Sequence, residues 1–239
     1  MRVRFVWLLS GLLCLAGMGI AQEALRSGPQ PAAKGQRPVK VPASFEAHTF
    51  NGRHPDRFHC LVCENDFFPT VLMFLKEPAE GKDAAIKALF VKLEGMVDKY
   101  AVLNQYPEVA SFSVYAVFLS EAAQTSLTKP DEKDPAGLVK EATARRALYL
   151  RMREWAKPLK KVTIAAAIPE AVQAYQLNPA AELTGIYYDA FNVLENFAFA
   201  EGAFKEEDIE PIVARVERQL QGKIAVLESG RKNKLGGIK

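Results

Sequence analysis

Three predominantly apolar runs, each the length of one strand, constrain this chain more than any other feature. They are Thr70-Val71-Leu72-Met73-Phe74-Leu75, Phe112 to Leu119 and Val162 to Ile168. A strand that alternates apolar and polar residues can leave one face wet. A continuous run must be covered on both faces, which is the habit of parallel sheets. Between the runs the period changes. Ile86, Leu89, Phe90, Leu93, Val97 and Tyr100 share one face of a helix expected over 83–100, with Asp83 as its cap. Asp134-Pro135 reads as an N-cap and an N1 proline. Leu138, Ala142, Leu148, Met152 and Trp155 then mark a helix over 134–157 that ends before Pro158. Pro69, Pro78 and Pro169 punctuate the strands.

Strand alternating with helix predicts right-handed crossovers and parallel pairing of 70–75, 112–119 and 162–168. A short strand from Phe45 to Phe50, ending at the turn Asn51-Gly52, precedes them. A helical piece around Glu170–Leu177 follows. Leu183–Tyr188 and Val193–Phe199 then form a hairpin across Asp189-Ala190-Phe191-Asn192. Glu206, Glu207 and Asp208 place acids at the start of a last helix, with Ile209, Ile212, Val213, Val216 and Leu220 on its apolar face. The sequence then predicts a domain over 45–222 and a frayed polar tail over 223–239. Phe67, Phe68, Phe74, Phe197 and Phe199 are expected in the core, and Asp131 to Asp134 in a solvated loop.

The N-terminus reads as an address. Arg2 and Arg4 precede an apolar run from Phe5 to Ala16, and Gly19-Ile20-Ala21 supplies a small-x-small site. These are the parts of a secretory signal peptide over 1–21, and the run is shorter than the ~20 residues of a spanning helix. Leu12-Leu13 before Cys14 do not fit a lipoprotein site. Export to the periplasm or beyond is therefore expected, with no stable membrane span after cleavage. Residues 22–44, rich in Pro, Ala, Gly, Gln and Lys, read as a flexible tether. Of 239 residues 49% are hydrophobic and 25% charged, which excludes a disordered chain. The count of 31 basic against 28 acidic residues becomes 29 against 28 without the signal, so nothing suggests a nucleic-acid partner.

The order β-α-β-α-β, hairpin, helix, carried by VLMFLKE, FSVYAVFLS, VTIAAAI and LTGIYYDAFNVLENFAF, resembles a thioredoxin-like domain: an α/β fold with a central mixed sheet flanked by helices. The resemblance implies a reactive Cys-x-x-Cys after the first central strand, yet Glu77-Pro78-Ala79-Glu80-Gly81-Lys82 stands there. It also implies a cis-proline before the facing strand, near Leu183, whereas Pro179 lies about four residues too early. Both halves of the family's site are out of place.

Export leaves two cysteines, Cys60 and Cys63, in a compartment where disulfides persist. Extended, their α-carbons would lie about 10 Å apart, so a bond requires a turn. Thiol–disulfide exchange with a protein thiol or disulfide partner is one reading, with Cys60 and Cys63 as the redox pair and His59 as a modifier of thiol acidity. A structural or interaction domain with an inert pair is the competing one. A third follows from His48, His54, His59, Cys60 and Cys63, which fall within sixteen residues and are every histidine and mature cysteine of the chain. Sulfur and imidazole suit zinc or copper, although no established zinc spacing is matched. Glu64 after Cys63 excludes a c-type haem site. No cofactor is expected. Ser120 lies downstream of all the histidines, and a Ser-His-Asp arrangement has no support. Because Cys60 and Cys63 precede the first central strand, a simple reading puts them at the pole opposite its carboxyl end.

Overall fold

The computed structural model describes residues 25–77, 81, 83–124 and 134–236. The strands expected from the apolar runs are β3 (Thr70–Lys76), β4 (Ser113–Leu119) and β5 (Val162–Ala167). They follow β1 (Glu46–Thr49) and β2 (Phe58–Cys60), and precede the hairpin β6 (Ala181–Asp189) and β7 (Asn192–Ala200). The helices are α1 (Leu61–Asn65), α2 (Ala84–Ala101), α3 (Pro107–Ala110), α4 (Pro135–Ala156) and α5 (Ile209–Gly236). Among the described residues, all seven strands join one sheet in the order β2-β1-β5-β4-β3-β6-β7. The β3–β4 and β4–β5 pairs are parallel, and the β3–β6, β6–β7, β1–β5 and β1–β2 pairs are antiparallel. This is the mixed α/β sheet of the thioredoxin-like reading.

The topology dictates how the sheet is covered. From β3 to β4 to β5 the chain steps twice in the same direction, so two right-handed crossovers put α2 and α4 on the same face. There Leu89, Leu93, Leu148 and Met152 pack with α5 residues Ile212, Val216 and Leu220 over Val71, Met73, Val114 and Ile164. Each such side chain contributes about 1.5–3 kcal/mol when fully buried. The other face carries no long helix among the described residues, yet Leu72, Phe74, Tyr115, Val117 and Ala165 project into it and are buried. Leu61 and Val62 of α1, Val172 and Tyr175 of a 3-10 turn (Pro169–Tyr175), and the chain before β1 form its cover.

The expected tether is part of that cover. Ser27 is buried; its Oγ lies 2.6 Å from Thr184 Oγ1 and accepts from the Asn178 amide. Asn196 Nδ2 donates to the Ser27 and Pro29 carbonyls. Val41 and Val193 donate backbone bonds across to Phe191 and Val39, and Tyr175 OH reaches the Ala43 carbonyl. Composition argued for freedom, but an apolar sheet face binds even a proline-rich segment. The expected tail is also corrected. α5 runs on past Lys223 because Ile224 and Leu227 pack on the core, Lys223 pairs with Asp189, and Tyr106 OH donates to Glu228.

Two smaller differences concern apolar residues. Phe67 is exposed and leans on the Phe191 ring, while Ala142 is exposed because the burial of α4 begins only at Leu148. Asn51-Gly52 does form the turn after β1. Asn51 Nδ2 donates to the Leu159 and Val162 carbonyls, and its Oδ1 accepts from the Ile164 amide. The signal segment over 1–21, Pro78 and residues 131–133 of the expected loop lie outside the described residues. No described helix is long and apolar enough to cross a membrane.

Candidate functional site

The corner between β2 and α1 gathers the sequence's unusual chemistry. Phe58, His59 and Cys60 form a three-residue edge strand against β1, pairing with His48, Ala47 and Glu46. The chain then turns into α1 at Cys60, whose extended backbone makes it the N-cap; the Cys63 amide donates to its sulfur at 3.1 Å. Leu61 and Val62 force that turn. Both are buried against the sheet, which swings Cys60 and Cys63 to the same outer side. Their α-carbons are 5.3 Å apart and the sulfurs are bonded. Cys60 is half-buried and Cys63 exposed. A ring this small stabilises the fold by only about 2 kcal/mol in the chain-entropy model.

His59 faces elsewhere. Successive strand residues project to opposite sides, and its Nε2 lies 2.5 Å from Glu64 Oε2. Glu64 is nearly enclosed, with a side chain 9% exposed, and its other oxygen is 3.6 Å from Arg53 Nε. The His59–Glu64 bond therefore closes the same turn as the disulfide, from one residue outside it on each side. Nothing in the sequence marked Glu64 as a partner, since a contact between residues five apart matches neither strand nor helix spacing. It arises only because a strand ends and a helix begins between them.

The histidines divide. His54, in the loop after β1, brings its ring to 4.7 Å from that of His59. His48 is on the other face, stacked on Tyr149 at 4.5 Å between Phe50 and Phe58. Burial, the largest cause, holds its pKa below the ordinary value despite an opposing contribution from Asp56. His48 is thus outside the group expected around the cysteines. With Cys60 and Cys63 bonded to each other, the cluster that remains is His54, His59 and Glu64.

The pair's position also differs from the simple polar placement: through His48, Phe58 is level with Ala166 near the carboxyl end of β5, and Cys60 lies two residues further along. β2 is the edge strand, four places from β3 in the sheet, or about 19 Å at ~4.8 Å per strand. The crevice at the carboxyl ends of β3 and β4 is separate. It has a volume of about 600 Å³ and is lined by Phe74, Lys76, Ser120, Glu121, Gln173 and Asn178 among others, with no cysteine or histidine. Glu77, at the place of the family motif, is paired with Arg151, and Leu183 is registered against Leu75. No cis peptide occurs among the described residues.

Neither the family models nor the curated proteins compared with the chain give a match. Similar solved structures include a protein described as a thiol:disulfide interchange protein DsbE from Chlorobium tepidum. It shares 15% identity, covers 77% of this chain and 98% of its own, and has a TM-score of 0.45. Another is a secreted thiol-disulfide isomerase from Corynebacterium glutamicum, at 9% identity, 80% and 99% coverage and a TM-score of 0.41. A third is the copper-bound ScoI of Arabidopsis thaliana, at 10% identity, 74% and 99% coverage and a TM-score of 0.41.

Proposed function

We propose that this chain is an exported thiol–disulfide exchange protein whose redox pair is Cys60–Cys63. The observation that carries the reading is the placement of the bond across the first turn of α1 with Cys63 exposed. A bond meant only as a staple gains little from so short a ring, and a buried one would be inert.

In the oxidised protein a partner thiolate attacks Cys63 Sγ in line with the bond. The partner–Cys63 disulfide forms and the Cys60–Cys63 bond breaks, with its electron pair leaving on Cys60 Sγ, which takes a proton from solvent. A second partner thiolate then attacks its own sulfur in the mixed disulfide and expels Cys63. Two electrons pass from the partner dithiol to this chain, and the reverse sequence oxidises the partner. His59 enters as a positioning residue: its bond to Glu64 keeps the turn formed when the sulfurs are free. The proposed signal over 1–21 places the pair where such a bond persists.

Trapping tests this. Cys60→Ser leaves the exposed Cys63 thiol without its resolving partner and should accumulate a stable mixed disulfide with a disulfide-bonded peptide. Cys63→Ser, which leaves the half-buried Cys60, should trap the same peptide at least severalfold more slowly. Equal, negligible trapping by both variants would leave an inert pair on a structural or interaction domain.

A further inference from the structure

We infer that His54, His59 and Glu64 form a binding site for a first-row divalent cation, zinc in the first instance. The inference stands whether or not the neighbouring disulfide exchanges. One donor atom from each of the three side chains lies within 4.8 Å of the other two. The three come from different elements: the loop after β1, strand β2 and helix α1. Two imidazoles and one carboxylate are a common ligand set for zinc with an open fourth position, and they suit copper(II) as well.

The supports of the ligands are built into the fold. The His54 backbone is fixed because Thr49 Oγ1 donates to its carbonyl, and Asp56, at φ 59°, returns its amide to the Thr49 carbonyl at 2.8 Å. His59 is held in the β1–β2 ladder opposite Ala47. Glu64 is enclosed, and Arg53 lies against its Oε1, while Oε2 is the oxygen that meets the His59 imidazole. Such contacts orient a ligating carboxylate from behind. Zinc held by bonds of about 2.0–2.1 Å sets its ligand atoms roughly 3.3 Å apart. The 2.5 Å His59–Glu64 contact must therefore open by less than about 1 Å. The widest separation, up to 4.8 Å, must close by about 1.5 Å. The exposed His54 ring can make that movement by side-chain rotation.

A cation there would tie the loop at 51–57 to α1 and so rigidify the corner that carries Cys60 and Cys63. Their sulfurs, bonded to each other, are not needed as ligands. That separates this site from any sulfur-based metal centre.

The test is zinc titration by calorimetry on the untagged full chain, stripped of metal and kept oxidised. One equivalent should bind, and His54→Ala and Glu64→Gln should each weaken binding at least about tenfold. His54 is exposed, so its variant should keep the wild-type far-ultraviolet spectrum and thermal midpoint in the absence of zinc. The midpoint should rise with zinc in the wild type alone. Absence of zinc uptake by the wild type, or uptake that His54→Ala leaves unchanged, overturns the inference.

Discussion

Removing the Glu64 carboxylate should make the Cys60–Cys63 disulfide easier to reduce, although neither sulfur touches it in the proposed role. Glu64 accepts from His59 across the turn that brings the sulfurs together, and its side chain is 9% exposed. A hydrogen bond to a charged group of this kind is worth about 1.5–3 kcal/mol. In the wild type that free energy holds the turn in both redox states, so forming the disulfide costs little ordering. In Glu64→Ala the disulfide alone must order the turn. The dithiol state relaxes and the oxidised state is disfavoured relative to it. Since 30 mV corresponds to about 1.4 kcal/mol for a two-electron couple, the reduction potential should rise, by as much as roughly 30–60 mV. The assay is equilibration of wild type and variant in graded glutathione buffers without metal, followed by acid quench, alkylation and intact-mass counting. An unchanged or lowered potential would refute the positioning role of the His59–Glu64 bond.

Three further outcomes follow from the fold. A Cβ added at Gly185 would meet Phe197 ring atoms at 2.0 Å across the β6–β7 ladder, so Gly185→Ala should cost about 1–3 kcal/mol by urea unfolding, with much of the loss recovered in the Gly185→Ala/Phe197→Leu double variant. Burial lowers the His48 pKa, so the unfolded chain binds a proton more readily than the folded one; this contribution should be complete above pH ~6.5 and be lost as pH falls below that value through the lowered folded pKa, and His48→Phe should flatten this component of the profile. Ser27→Ala removes buried bonds to Thr184 and to the Asn178 amide, and should cost about 1 kcal/mol while speeding tryptic cleavage after Arg26.

The apolar runs were a sufficient guide to the sheet because β3, β4 and β5 must be covered on both faces, and only parallel central strands carry so little polar content. Those same runs say nothing about who covers them. The segment from Ser27 to Ala43 looked unbound because its own composition stores no burial energy; the partners that hold it, Thr184, Asn196 and Tyr175, lie more than 130 residues away in sequence. α1 was invisible for a related reason. Five residues cannot show a helical period, and Leu61-Val62 between two cysteines reads equally well as strand. Yet that short helix decides the chemistry, turning a spacing that extended backbone would hold about 10 Å apart into a 5.3 Å approach. The cysteine pair itself was legible, and so were its neighbouring histidines. Glu64 and Arg53 were not, since each meets His59 or its partner only through the corner.

The proposed exchange requires the Cys60–Cys63 couple to be labile. Equilibration of the oxidised wild-type chain with glutathione buffers, read as the fraction of protein carrying two free thiols, measures that directly. A labile couple shows a reversible two-electron transition at a potential above about −300 mV. A disulfide that stays closed across the whole glutathione range, and opens only on unfolding, would contradict the proposed exchange.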